Sequence, residues 1–528
     1  MTGRRAWFPL LTLGLMLGGC ALRPPAARPA APAVADWPYA GNDASGERFS
    51  PVTALSPSTA ASLTPAFRVP LGAVGTTQEG YPVESGGTLY VTATGDLAYA
   101  VDAATGSVLW MYDPAPLHPP AWAPEDSKGV GLGADRLYLL TADDRLIALE
   151  RATGHVAFTA SVADPAQAYF ESMAPLVAGQ RVIVGSAGGD EGARGFVAAY
   201  DAGTGAQLWR LFTVPPRGQG WMAKDGFHGG GVVWTTPTFD PASGHIFFGT
   251  GNPSPDYFGE TRPGPDPYTD SVVAADVAGG QIAWAAQEVA HDLWDYDAAS
   301  PPVLFRMGDR LAVGAAGKNG YWYEWDAADG QPLTTPVAFV KEDHRPPTPA
   351  GTVEWPGPDG GANYGPTSYD PALHLAFVAG INGPETVYSG AQTHHKNTVD
   401  LGTGEGGVPG ASWTGTLTAI DVRTGAVVWQ IKTPTPPIGG SCVTAGGLVL
   451  FGQEGGELEG VDAGSGQVVW TEQLGAPIGT APIVYRGANG QVEVAVVTGG
   501  AESLKGVFPS KAAGALVVFR LGGGQGPG

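Results

Sequence analysis

Seven residues concentrate reactive chemistry: His291-Asp292-Leu293-Trp294-Asp295-Tyr296-Asp297 holds three carboxylates and an indole. In extended chain Asp295 and Asp297 point to the same side. Two carboxylates that close repel, and a cation between them relieves the repulsion. Elsewhere the chain is poor in charge: 28 Lys+Arg stand against 50 Asp+Glu in 528 residues, a net charge of −22. Phosphate binding needs a basic face, so nucleic acid is excluded as a partner. No Cys-x-x-Cys-His occurs, which excludes a covalent haem. The two cysteines, Cys20 and Cys442, fall on either side of an expected processing point, so the mature domain has no internal disulfide.

The elements that position these groups are strands. Gly (81) and Pro (47) are abundant, yet 43% of residues are hydrophobic, enough for a packed core. One phrase recurs: AVDAATGSVLW (100–110), ALERATGHVAF (148–158), AYDAGTGAQLW (199–209), AADVAGGQIAW (274–284), EWDAADGQPLT (324–334), AIDVRTGAVVW (419–429) and GVDAGSGQVVW (460–470). Asp can bond its own backbone and Gly accepts positive φ, so the middle of the phrase is a turn. Alternating apolar residues on each side make a hairpin, and the closing Trp is large enough to pack on a neighbouring repeat. A further apolar run precedes most phrases, giving about four strands per unit. Repeats of this kind close into an all-β propeller. Eight blades are expected, with seven as the alternative. In the eight-bladed reading the C-terminal strand (512–521) completes a blade with residues 37–70. Insertions fall at 252–270 and about 340–415.

With these motifs in place, the chain resembles the quinoprotein dehydrogenases, which bind pyrroloquinoline quinone (PQQ) at the mouth of an eight-bladed propeller. The resemblance spans the mature domain, 37–528. In Gly229-Gly230-Gly231-Val232-Val233-Trp234 it makes Trp234 the aromatic floor under the quinone. In Gly249-Thr250-Gly251-Asn252-Pro253 it makes Asn252 a metal ligand, a neutral oxygen donor suited to calcium or a lanthanide. Asp190 takes the acidic-ligand position, and Glu191 beside it would take it after a one-residue slip. Asp295 is implied as catalytic base and metal ligand, and Asp297 as a further metal ligand. Lys318, in Ala316-Gly317-Lys318-Asn319-Gly320, falls against the reactive quinone oxygens, where a cation stabilises the charge that builds on reduction. Glu79, Lys128, Ser172 and Asn363 fall at polar cofactor contacts.

The resemblance implies oxidation of an alcohol or an aldose hydroxyl, with electrons passed to an external acceptor, a cytochrome c or a membrane quinone. Some positions depart from the family. Adjacent cysteines are lacking, with Trp122-Ala123 near their place; Ala187 replaces a frequent hydroxyl, and Ile438 a frequent aromatic. A lipid-anchored propeller scaffold or binding protein without turnover is the alternative. The N-terminus bears on compartment. Arg4 and Arg5 precede a short apolar stretch and Leu17-Gly18-Gly19-Cys20, which resembles a lipoprotein signal cleaved before Cys20. Residues 21–36 are an Ala/Pro-rich tether. Together they imply a domain on the extracytoplasmic, periplasmic face, held to a membrane by lipid.

Overall fold

The computed structural model describes residues 2, 36–74, 77–115, 118–119, 123, 127–216, 218–222, 229–393, 395, 398–501, 503–504 and 506–522. The signal segment and tether therefore lie outside the described residues, apart from Thr2 and Asp36, as does Trp122. The chain divides into two units, Met1–Ala33 and Val34–Gly528, and every strand belongs to the second.

Four-stranded antiparallel sheets follow one another along the chain. They run from Val83–Ser85 to Val108–Tyr112, Gly131–Leu132 to Val156–Ser161, Leu176–Ala178 to Gln207–Phe212, Thr238–Asp240 to Ile282–Gln287, and Val303–Met307 to Val337–Ala338. The next joins Ser368–Asp370, Leu375–Asn382, Thr414–Asp421 and Ala426–Thr433. Another runs from Ser441–Thr444 to Val468–Gln473, with Phe49–Ser50 added in parallel. The last joins the chain ends: Leu63–Val74 pairs with Ala513–Leu521, beside Val492–Thr498 and Ile483–Arg486. This is the all-β propeller expected, closed by its two ends. Among the described residues the helices are three short 3₁₀ turns, and none is long and apolar enough to cross a membrane.

Middle strands such as Thr88–Ala93 are buried on both faces, because neighbouring sheets cover them; the outer strand Val108–Tyr112 is largely exposed. The recurring phrase forms the turn between third and fourth strands. Asp201 Oδ1 accepts the N–H groups of Gly203 (3.0 Å) and Thr204 (2.8 Å) and the Thr204 hydroxyl (2.8 Å), and Gly205 follows at φ +74°. The closing Trp docks on the next repeat's turn. Trp110, Trp209, Trp284 and Trp429 donate Nε1–H to the carbonyls of Arg151, Val277, Ala327 and Ala463 at 2.9–3.0 Å. The ring of Trp209 lies over Gly280, which sits at φ +70°, and a Cβ there would stand 2.5 Å from the indole. Gly280→Ala is therefore expected to cost about 1–3 kcal/mol, from left-handed strain and a displaced Trp209. The urea midpoint reads this directly.

In such a meander, successive connections alternate between the two ends of the ring. The recurring turns take one end. The second-to-third-strand loops and the sheet-to-sheet loops take the other, and every candidate residue lies in one of those two loop classes.

Candidate active site

Glu79, Lys128, Ser172, Asp190, Trp234, Asn252, Asp295, Asp297, Lys318 and Asn363 all line one cavity of about 370 Å³. They come from the second-to-third-strand connections of three successive sheets and from six sheet-to-sheet loops. Glu191 and Ala187 line it as well.

The floor is Trp234, backed by Tyr81, Tyr364, Ile381, Ile438 and Leu504. Lys128 Nζ stands 4.8 Å from the Trp234 ring centre and 5.1 Å from that of Tyr364, and pairs with Glu79 Oε2 at 3.0 Å. Asn363 is held by backbone. Its Nδ2 donates to Asp359 O (2.9 Å) and its Oδ1 accepts Tyr364 N–H (2.8 Å). Ser172 is buried at the wall.

The acidic loop departs from the extended chain expected of it. Asp295 sits at φ +61°, so the chain turns there. The Asp292 carboxylate makes the turn, accepting N–H from Trp294 (3.2 Å) and Tyr296 (3.1 Å). Arg262, fully buried, fastens this loop to the one that follows Asn252 by donating to the carbonyls of Pro255 (3.0 Å), Asp256 (2.9 Å) and Asp292. Asp295 and Asp297 nevertheless reach one point: Lys318 Nζ lies 3.1 Å from an oxygen of each. The gap between the carboxylates thus holds an ammonium. Asp297 also accepts the backbone N–H of Asn252, whose Nδ2 lies 3.3 Å from Asp190 Oδ1. Asp292→Ala is expected to lower kcat about 100-fold by releasing Asp295 from its position. Dye reduction measures this, and unchanged circular dichroism separates it from unfolding.

Burial shapes the electrostatics. It raises the Asp190 carboxyl to about 6, helped by Asp297 and opposed by Lys318, and Glu191 to about 8, helped by Asp190. Burial also raises Asp295 well above the carboxylate range; Lys318 opposes this, and Asp297 and Asp190 add to it. Burial works against the Lys318 charge, yet Asp295 and Asp297 outweigh it and hold the ammonium well above its usual value.

The donor set fits a hard cation. Three carboxylates and one amide, all oxygen-bearing, face one space, and rotating the Asn252 amide exchanges its NH₂ for Oδ1. Seven carboxylates line the cavity against two ammonium groups, an excess of acid that a metal ion would offset. Among the described residues no three His, Cys, Asp or Glu side chains already converge at ligating distance, since Lys318 stands between two of them. The set also fits a flat quinone: an indole floor, two ammonium groups and polar walls.

The sequence reading missed Asp359 and Glu405, which also line the cavity. Asp359 lies four residues before Asn363. Glu405 stands in a glycine-rich stretch of the 340–415 insertion. Neither belongs to a repeat, so nothing in the pattern marked them.

Residues 37–344 match the family profile described as PQQ glucose/ethanol/alcohol dehydrogenase, β-propeller domain. Residues 414–505 match the profile described as outer membrane protein assembly factor BamB. The chain is 30% identical over 525 residues to quinohemoprotein alcohol dehydrogenase ADH IIB of Pseudomonas putida, covering 89% of this chain and 74% of the relative. It is 29% identical to quinoprotein alcohol dehydrogenase PedH of Pseudomonas putida, covering 90% and 89%. The solved quinohemoprotein alcohol dehydrogenase ADHIIG of Pseudomonas putida HK5 superposes with TM-score 0.84 at 25% identity, over 94% of this chain and 82% of that one. With the profile covering more than half of the sequence and the propeller superposing almost throughout, the chain belongs to the PQQ-dependent alcohol dehydrogenase β-propeller family, oxidoreductases that act on CH–OH groups.

Proposed function

We propose that the protein is a PQQ- and metal-dependent dehydrogenase that oxidises the hydroxyl of an alcohol or a sugar and passes the electrons to an external acceptor, a cytochrome c or a membrane quinone. The observation that carries this reading is the convergence of ten residues from nine loops on one cavity. A scaffold needs no such set. When bound, the quinone supplies the hydride acceptor, and calcium or a lanthanide the Lewis acid.

The protein's own groups do the rest. Trp234 supplies the flat surface, and Lys128 and Glu79 fix the polar edge. Asp190, Asn252, Asp295 and Asp297 hold the metal. Asp295 takes the hydroxyl proton as general base. Lys318 supplies positive charge beside that base, and its two carboxylate contacts keep it oriented. The 252–270 and 340–415 insertions meet beside the cavity, which Glu405 lines. They clasp each other there, Tyr257 N–H donating to Leu401 O at 2.8 Å and the Tyr257 hydroxyl to Glu405.

The Cys20 lipobox and the 21–36 tether support a lipid anchor on the periplasmic face, which would keep the enzyme near its acceptor. The test is reconstitution with PQQ and either calcium or lanthanum, followed by dye reduction with a panel of alcohols and aldoses. Turnover that requires both additions supports the reading; a protein that binds no PQQ and reduces no dye overturns it in favour of a scaffold.

A further inference from the structure

The 340–415 insertion brings acids to the cavity that the roles above leave unused. Its three-stranded sheet pairs Thr352–Glu354 with Glu385–Ser389, and that strand with Thr403–Gly407. Glu354 stands opposite Glu385, and Glu405 opposite Val387. With a period of two, Glu354, Glu385, Val387 and Glu405 share one face. Val387 and Glu354 are fully buried while Tyr388, on the other face, is 38% exposed, so the glutamate face turns inward at Glu354 and Val387 and opens to solvent at Glu405. Asp359 joins them: its N–H reaches Glu385 Oε2 at 3.4 Å, and Asp359 and Glu405 both line the cavity that holds Asp295.

Fold stability does not account for this arrangement. Carboxyl groups directly opposite one another repel when ionised, and burial raises Glu354 to about 9 and Glu385 to about 8. Glu354 is completely buried, and neither of its carboxylate oxygens has a hydrogen-bond partner. Among the described residues no Lys or Arg forms an ion pair with Asp359, Glu354, Glu385 or Glu405. Lys318, the cation across the cavity, bonds Asp295 and Asp297 and reaches Asp359 and Glu385 only through its field. The mouth is thus built for positive charge that the chain does not itself supply.

We propose that Asp359 and Glu405, backed by Glu354 and Glu385, determine specificity by recognising a cationic group on the substrate, so that the favoured substrate is a hydroxyl compound bearing a protonated amine. The inference rests on the dehydrogenase reading above and narrows it. The hydroxyl proton goes to Asp295, and the carbinol hydrogen leaves with its electron pair to the quinone, giving a carbonyl. The ammonium keeps its charge and serves only as a handle. Carboxylate–ammonium hydrogen bonds orient it, and the same acids repel anionic hydroxy compounds.

The test uses the full chain loaded with PQQ and metal, and three substrates on one skeleton: 3-amino-1,2-propanediol, glycerol and glycerate. Ethylamine is added to the glycerol and glycerate reactions at matching concentration, so that an amine counts only when joined to the reacting molecule. The aminodiol is expected to exceed glycerol about 10-fold in kcat/KM, with glycerate at least about 10-fold lower still, and the spread shrinks as salt is raised. In Asp359→Asn/Glu405→Gln the aminodiol-to-glycerol ratio falls to about 2 or less, through KM. Glu405→Gln alone changes an exposed residue and lowers the ratio part of the way. Glycerol matching or exceeding the aminodiol, or a ratio untouched by either variant, overturns the proposal and leaves the dehydrogenase standing. No turnover of any of the three overturns the proposal, while the dehydrogenase reading falls only if the panel of alcohols and aldoses is inert as well.

Discussion

Asp295→Asn is expected to lower kcat by about 10³-fold, within the range that removal of a positioned general base produces. Asparagine is the informative replacement. Asp295 sits at φ +61°, a left-handed conformation that Asn tolerates better than other residues with a side chain, so the turn set by Asp292 survives. The amide keeps the shape and one acceptor for Lys318 but cannot take a proton. Quenching of tryptophan fluorescence by added PQQ should persist, which separates lost chemistry from a lost site. A variant as fast as the parent would move the base elsewhere.

The pH profile follows from the same residue. Burial, opposed by Lys318 and reinforced by Asp297 and Asp190, raises Asp295 above the carboxylate range. A base works in its deprotonated form. The parent's kcat is therefore expected to climb with pH as Asp295 ionises, at a pH set by burial, which raises the carboxyl, against the bound cation, which lowers it. Asp295→Asn should lose this limb. Stopped-flow or steady-state dye reduction across pH checks both statements.

The ring was legible because each repeat states its own turn. Asp at the start, Gly at positive φ and Trp at the close have local causes that survive in any context. The site residues were legible as a group because a propeller sends alternate loops to one end, so motifs scattered over nearly 300 residues from Glu79 to Asn363 meet at one cavity. The extended geometry assumed at Asp295 did not hold, since Asp292 competes for the backbone by capping two N–H groups. Nor did the sequence reveal that Lys318 would stand between the two carboxylates; that contact depends on a loop from the next strand pair. The insertion acids were hidden for a different reason. Glu354, Glu385 and Glu405 share a face only after a sheet outside the repeat has chosen its register. Arg48 likewise gave no sign, yet its buried guanidinium donates to the carbonyls of Ser441 (2.9 Å) and Pro482 (2.9 Å), tying the N-terminal segment to two late sheets.

The second large effect is expected from Asp297→Ala, read in the metal rather than in the base. Asp297 joins three parts of the site: it accepts the Asn252 N–H, it bonds Lys318 Nζ at 3.1 Å, and it raises Asp190 and Asp295 by its charge. Removing it should weaken metal binding about 10- to 100-fold, the usual cost of losing a group that orients and charges a metal site. The loss should fall harder on lanthanum than on calcium, because the energy of an ion beside a carboxylate scales with the ion's charge. Terbium luminescence sensitised by tryptophan measures affinity without turnover, and dye reduction during calcium and lanthanum titrations measures it with turnover. Chelation of the parent should abolish activity, and either ion should restore it. If Asp297→Ala leaves both titrations where they were, the carboxylate serves Lys318 and the Asn252 backbone alone, and the metal rests on Asp190, Asn252 and Asp295. A calcium curve that stays in place while the lanthanum curve moves would instead make Asp297 the residue through which this site distinguishes the two charges.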